Sequence, residues 1–324
     1  MRAAAFVPVV LAAALVGAAL PVVPTGQAEC YDDVAAIDCP DMPCDGDTAF
    51  CGQDAQYADH AQSPSELVVS DVDGHDVVED ALTGLTWRAT FESDIAWDDA
   101  VSHCDALEHA GRDDWRLPTM HELTSLIDYG EYGPASRFPG MPSELFWSSN
   151  LDITGGTVGV GWIVGYSFGV VRRQTDPQGN LHARCVRGSS AELSDERMER
   201  DGDVVRDDAT ELIWQYGQGE HLTWSAALDY CEGLEHEGQD DWRLPQVHEL
   251  RTLITLDRTN AASPFPELPS DYYWTSTTSV ARSENAWCVH FPLGSVLYAH
   301  KSIGRLSSGI GMGAKCVRGG PPAQ

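Results

Sequence analysis

Basic side chains are the scarcest component of this chain. It carries 20 Lys and Arg against 50 Asp and Glu, a formal net charge of −30 over 324 residues. Phosphate backbones reward cationic surfaces, so nucleic acid is excluded as a partner and anionic membranes are disfavoured. Long apolar runs are also lacking. Beyond the first 28 residues nothing approaches the ~18–20 apolar residues needed to cross a bilayer, so no membrane span is expected. Catalytic signatures are absent as well: there is no His-Glu-x-x-His, no phosphate loop and no Ser-His-Asp order, and the histidines do not cluster as metal ligands. The run Asp71-Val72-Asp73-Gly74-His75-Asp76 lacks the rest of an EF-hand loop, and a polar hairpin is expected there instead. These absences argue against an enzyme and against a cofactor, and leave calcium unsupported by any motif.

What is present begins with an export signal. Arg2 supplies the charge and Ala3 to Leu20 the apolar stretch, with cleavage after Ala19 or as late as Ala28. A secreted, periplasmic or cell-surface location follows. Nine cysteines fit an oxidising compartment. Four of them, Cys30, Cys39, Cys44 and Cys51, crowd an acidic leader at 20–66 and suggest two local disulfides; their spacing contains no C-x-x-C, which disfavours zinc.

The tryptophans organise the rest. Trp87, Trp97, Trp115 and Trp147 recur 127 residues later as Trp214, Trp224, Trp242 and Trp274, and Trp162 is answered by Trp287. A period of domain size marks a tandem duplication rather than a solenoid. Repeat 1 spans 67–188, a charged linker 189–200, repeat 2 spans 201–319, and 320–324 is a tail.

Within a repeat, Val77 to Asp80 and Leu85 to Trp87 predict two strands joined by a turn. Trp97, Ala100, Val101, Cys104 and Leu107 share one helical face, and Trp224, Ala227, Leu228, Cys231 and Leu234 repeat it. Gly111 and Gly238 are expected to end these helices. Thr119 with Glu122 predicts a capping box and a second helix. Gln246 replaces the threonine in the second copy, weakening that cap by ~1 kcal/mol. His121 and His248 are placed on the exposed part of this helix. Runs around Phe146–Ser149, Trp162–Val164 and Arg184–Arg187 predict strands of one antiparallel sheet.

Each repeat has one cysteine on its first helix and one in its last strand. Bridges Cys104–Cys185 and Cys231–Cys316 are expected, each worth up to ~4.5 kcal/mol by loop entropy; the alternative is two pairs of buried free thiols. Cys288 stands where repeat 1 has Ile163, so it is expected to be an inert buried thiol. Arg116 with Glu122, and Arg243 with Glu249, recur in both copies and are expected to be structural ion pairs. The tryptophans are expected in the core, with sugar stacking a minor alternative for Trp147 or Trp274.

The runs Trp115-Arg116-Leu117-Pro118-Thr119 and Glu122-Leu123, Thr83-Gly84-Leu85-Thr86-Trp87, Trp147-Ser148-Ser149 and Arg184-Cys185-Val186-Arg187-Gly188 together resemble the Lcl C-terminal domain family, named for a module of a bacterial collagen-like adhesin. Trp242-Arg243-Leu244-Pro245, Glu249-Leu250, Tyr273-Trp274-Thr275-Ser276 and Lys315-Cys316-Val317-Arg318-Gly319 repeat the match. Thr25-Gly26-Gln27, Cys30-Tyr31-Asp32, Cys39-Pro40 and Gly52 to Tyr57 resemble a leader found before such domains, to which Cys44 and Cys51 add a second bridge. The resemblance implies a surface-exposed adhesion module that binds an extracellular glycan or protein. It also implies an α+β fold of two tandem C-type-lectin-like domains, each with two helices and a curled antiparallel sheet. The lectin calcium signatures Glu-Pro-Asn and Trp-Asn-Asp are missing. Candidate ligand contacts are the basic residues late in each repeat, Arg172, Arg173 and Arg184, then Lys301, Arg305 and Lys315, while Arg187 and Arg318 read as structural. A structural envelope or matrix protein is the alternative. An enzyme akin to formylglycine-generating sulfatase-modifying proteins is less favoured, because no reactive cysteine pair is available.

Overall fold

The structure, a computed structural model, describes residues 22–44, 48–57, 67–152, 160–174, 176, 179–188, 197–254, 265, 272–305 and 311–319. The expected signal at 1–19, linker residues 189–196 and the tail at 320–324 lie outside them.

The leader contains β1 (Cys30–Tyr31), β2 (Ala36–Ile37) and α1 (Asp54–Tyr57). Repeat 1 opens with β3 (Leu67–Val72), β4 (His75–Asp80), β5 (Leu85–Arg88) and β6 (Glu92–Ile95). Helices α2 (Trp97–Asp105) and α3 (Met120–Thr124) follow. The repeat closes with β7 (Leu145–Asp152), β8 (Val160–Gly165), β9 (Val170–Gln174), β10 (Leu181–Ala183) and β11 (Val186–Arg187). Repeat 2 retraces this order through β12 (Met198–Asp201), β13 (Val204–Asp207), β14 (Leu212–Gln215), α4 (Trp224–Glu232) and α5 (Val247–Arg251). It ends with β15 (Tyr272–Thr278), β16 (Asn285–His290), β17 (Ser295–His300), β18 (Met312–Gly313) and β19 (Val317–Gly319). Since β12 pairs residue for residue with β13, repeat 2 begins inside the expected linker, by Met198.

Local sequence accounts for these elements. In β5, Leu85 and Trp87 are buried while Thr86 and Arg88 are partly exposed, the period of a half-buried strand. The α2 face is as expected, but the helix stops at Asp105. Cys104 has by then met Cys185, and Leu107 reaches the core from irregular chain. Gly111, at φ +65°, closes a later turn between His109 and Arg112, and Gly238 does the same in repeat 2. The Thr119–Glu122 capping box is present. In repeat 2 the Glu249 carboxylate still accepts from Gln246 N at 3.0 Å, and the Thr277 hydroxyl accepts from Val247 N at 3.1 Å. Asn150 Oδ1 accepts from Met120 N at 2.6 Å at the same place in repeat 1, so this sheet contact is common to both caps and does not replace the threonine hydroxyl.

The strands form two kinds of sheet. Each repeat keeps a four-stranded sheet of its own, ordered β11-β5-β4-β3 and β19-β14-β13-β12. Apart from the leader pair β1-β2, the remaining strands form, instead of the one sheet per repeat that was expected, a single nine-stranded sheet ordered β18-β15-β16-β17-β9-β8-β7-β10-β6. Its ladders are antiparallel except for the short parallel pairings of β7 with β10 and β15 with β18. The join is the antiparallel pair β9–β17, where Val171 faces Val296. These valines are equivalent in the two repeats, so the seam runs through a pseudo-twofold axis, the geometry of an isologous dimer held within one chain.

Nine of the ten tryptophans are at most 4% exposed, and Trp97 is half-buried. Trp147 and Trp274 are fully buried and donate to Ile95 O and Leu222 O, both at 2.9 Å, so neither presents a face to a sugar. The four expected kinds of bridge are all formed: Cys30–Cys39, Cys44–Cys51, Cys104–Cys185 and Cys231–Cys316. Cys288 is buried and unbridged, and burial pushes its thiol up to about 12.

Candidate functional site

The arginines that recur in both repeats pair with carboxylates of their own repeat. Arg116 makes a two-pronged pair with Glu122, at 2.7 and 2.6 Å, and donates to Gly188 O at 3.1 Å. Arg243 and Glu249 repeat it at 2.6 Å for both prongs. Each arginine therefore ties the start of the second helix to the end of its repeat, as a structural fork. Arg187 pairs with Asp114 and Arg318 with Asp241 at the surface.

The six candidate ligand contacts do not gather into one patch. Arg184 is 1% exposed. Its guanidinium sits 4.0 Å over the Phe138 ring and donates to Arg88 O and Ala89 O. Lys315 is its equivalent: fully buried, 4.1 Å from the Phe265 centroid, and donating to Tyr216 O at 2.7 Å and Gly217 O at 3.1 Å. Both are core cations held by carbonyls and aromatic faces. Burial lowers the Arg184 pKa to about 10. Lys301 is 1% exposed, lies 4.0 Å over Trp224 and donates to Asp32 O at 2.6 Å; it fastens the leader to repeat 2. Burial lowers its pKa to about 8. These three side chains are therefore corrected from surface contacts to structural groups. They include both lysines of the chain. Arg172 and Arg305 are exposed and Arg173 is partly so.

The seam between the repeats is a polar arrangement that sequence reasoning missed. His121 and His248, expected to be exposed, lie in it. His121 Nε2 donates to Ile254 O at 3.2 Å, and His248 Nε2 donates to Ile127 O at 3.3 Å. Each histidine thus caps the end of the other repeat's second-helix segment, a reciprocal exchange about the pseudo-twofold. Burial, reinforced by the Arg251 charge, lowers both pKa values, that of His121 to about 3. Tyr129 packs edge-on against Trp287 at 4.8 Å and against His248 at 5.1 Å. Gly169 and Gly294, equivalent residues at φ +86° and +58°, let the strands approach; a Cβ on either would meet Ile127 or Trp162 at 2.9 Å.

The leader completes this seam. Thr25 O accepts from Tyr129 N at 2.6 Å, and a side chain on Gly130 would collide with Gly26 O at 2.3 Å. Gln27 exchanges two hydrogen bonds with the backbone of Thr278, at 2.6 and 3.0 Å. Buried Asp54 accepts from the hydroxyls of Thr25 and Thr277, each at 2.7 Å, and burial raises its pKa to about 6. Gln53 pairs with Tyr31 N and O in the same way that Gln27 pairs with Thr278. The Thr25-Gly26-Gln27 run is thus a wedge touching both repeats. Its signal in the sequence was the pair of glutamines, whose amides can complete a strand-like ladder.

Among the described residues no group of three or more His, Cys, Asp or Glu is placed to hold a metal ion, and no helix is long and apolar enough to cross a membrane. The repeated forks, bridges and tryptophans define one disulfide-bridged module present twice. The Lcl C-terminal domain family model matches residues 76–187 and 203–307, and the chain belongs to that family. The second match stops at 307, but β19 completes repeat 2 by pairing with β14. Comparison with curated proteins gave no match.

Proposed function

We propose that this chain is an exported, non-catalytic binding protein. It displays two fused C-type-lectin-like modules outside the cytoplasm and attaches to an extracellular glycan or protein. The supporting observation is the internal use of recurring cations and histidines. Arg116, Arg243, Arg184, Lys315, His121 and His248 all serve the fold, which leaves recognition to surface features that differ between the repeats. Arg172 is one such feature: it is exposed on β9, where the equivalent β17 residue is Leu297. The bridges suit an oxidising compartment. Divergence on a rigid scaffold is how binding modules acquire specificity.

The test is a glycan array and an extracellular-matrix protein panel, probed with the disulfide-intact mature chain in calcium and again in chelator. Saturable binding that survives the chelator and falls for Arg172→Glu supports this reading. Turnover of a sulfatase-type peptide, or a chain that partitions wholly into an insoluble coat without a saturable ligand, would sink it.

A further inference from the structure

The outermost strands of the two four-stranded sheets are built differently. Leu67 pairs with Asp80, and Met198 with Asp207, so β3 and β12 are equivalent and Val68 and Val69 stand where repeat 2 has Glu199 and Arg200. Among the described residues neither strand has a second neighbour. β12 is four residues long and presents charge at its edge, a common protection against unwanted pairing. β3 is six residues long and leaves Val68, Val69 and Val72 exposed at 47%, 55% and 37%. Valine favours an extended, paired backbone, so β3 is an open template.

The charge around β3 selects what can pair with it. Its hairpin exposes Asp71, Asp73, Asp76 and Glu79 and contains no Lys or Arg. At the tip lies an open depression lined by His75, Glu108, His109, Arg112 and Asp113, which adds two carboxylates against one guanidinium. A second copy of the chain would bring a second set of carboxylates against the first. We propose that β3 accepts an extended segment of a partner protein in which apolar and basic residues alternate, added as a fifth strand to the repeat 1 sheet. The backbone would supply the ladder, the valines the apolar contact, and the carboxylates the selection for Lys or Arg.

The probe is a synthetic ten-residue peptide of alternating valine and lysine, titrated into the disulfide-intact chain, with a valine–glutamate peptide as control. Val68→Glu/Val69→Arg installs the edge residues of repeat 2 and leaves the net charge unchanged, so general attraction to an acidic protein is held constant. The lysine peptide should bind saturably, protect β3 amides from exchange, and lose about tenfold or more in affinity on this variant. The glutamate peptide should not bind. Val68→Lys sets like charge against the probe and should weaken it independently. Equal affinity for wild type and both variants, or no binding, overturns the proposal. So does dimerisation of the chain that Val68→Glu/Val69→Arg abolishes, since the occupant would then be a second copy.

Discussion

The two repeats satisfy the same buried carboxylate from opposite directions. In repeat 1 the guanidinium of Arg137, in the chain after α3, pairs with Asp80 and donates to Ser125 O at 2.7 Å. In repeat 2 the position equivalent to Arg137 is Pro264. Arg197, which precedes β12, pairs there with Asp207 at 3.0 Å and donates to Thr252 O at 2.5 Å. Asp80 and Asp207 are equivalent, as are Ser125 and Thr252. What is fixed is the place where a guanidinium must stand, because a buried carboxylate and a helix-end carbonyl both need a donor. Which stretch of chain delivers it is free to change. Arg184 and Lys315 make the same point with different chemistry at one position.

The largest expected effect tests this equivalence. Removing either arginine takes the counter-charge from a fully buried carboxylate and should cost about 3–5 kcal/mol in urea unfolding. Arg137→Ala should lie at the upper end, because the Arg197–Asp207 pair is close without hydrogen-bond alignment. Adding Asp207→Asn to Arg197→Ala should recover part of the loss. A cost below about 1 kcal/mol for Arg197→Ala breaks the comparison, because a buried pair would not be so cheaply lost.

The seam is tested next, by pH. The folded pKa values of His121 and His248 lie below the ordinary imidazole value, so the folded state binds fewer protons than the unfolded chain under acid. Their contribution is complete above about pH 6.5 and is lost as pH falls from there towards 3. Asp54 acts oppositely: its folded pKa of about 6 exceeds the unfolded ~3.9, so its contribution grows by about 2–3 kcal/mol as pH falls from 6 to 4. Two histidines against one carboxyl predict net acid destabilisation of the seam. His121→Gln/His248→Gln should flatten the melting profile between pH 6.5 and 4, whereas Asp54→Asn should steepen it. Parallel profiles for wild type and the histidine variant would remove the seam from the explanation.

The forks come third. The Arg243 side chain is 15% exposed and the Arg116 side chain 31%. Arg243→Ala should therefore cost about 3 kcal/mol and Arg116→Ala about 2, with ligand binding unaffected at temperatures where both variants are folded. Unchanged melting would refute the structural assignment. The smallest change is Gln246→Thr, which should add about 0.5–1 kcal/mol by restoring the hydroxyl cap. A null result would mean that the hydroxyl adds nothing to the contact Glu249 already makes with Gln246 N.

Much of each repeat was legible in the sequence because its signals are local or doubled. The tryptophan spacing located the core, the helix-face cysteines located the bridges, and Thr119 with Glu122 located the second helix. What was hidden involves one repeat acting on the other. Val171 and Val296 look like any buried strand residues, and nothing in either repeat alone tells that they face each other. His121 was assigned to solvent because the surface that covers it belongs to repeat 2. Arg197 was read as linker charge because its counterpart in repeat 1, Arg137, comes from a different stretch of chain, so the duplication gave no sign of it. Arg184 and Lys315 were misplaced for a related reason: a cation before the last cysteine looks exposed until the carbonyls and rings that enclose it are known.

The burial of Lys301 and Lys315 has a practical side. With both ammonium side chains enclosed, the native protein offers amine-reactive dyes, biotin esters and aldehyde cross-linkers no lysine at its surface. Immobilising it through lysines would select damaged molecules. Conversely, acylation of Lys301 becomes a chemical clock for release of the leader, and acylation of Lys315 one for opening of the repeat 2 core.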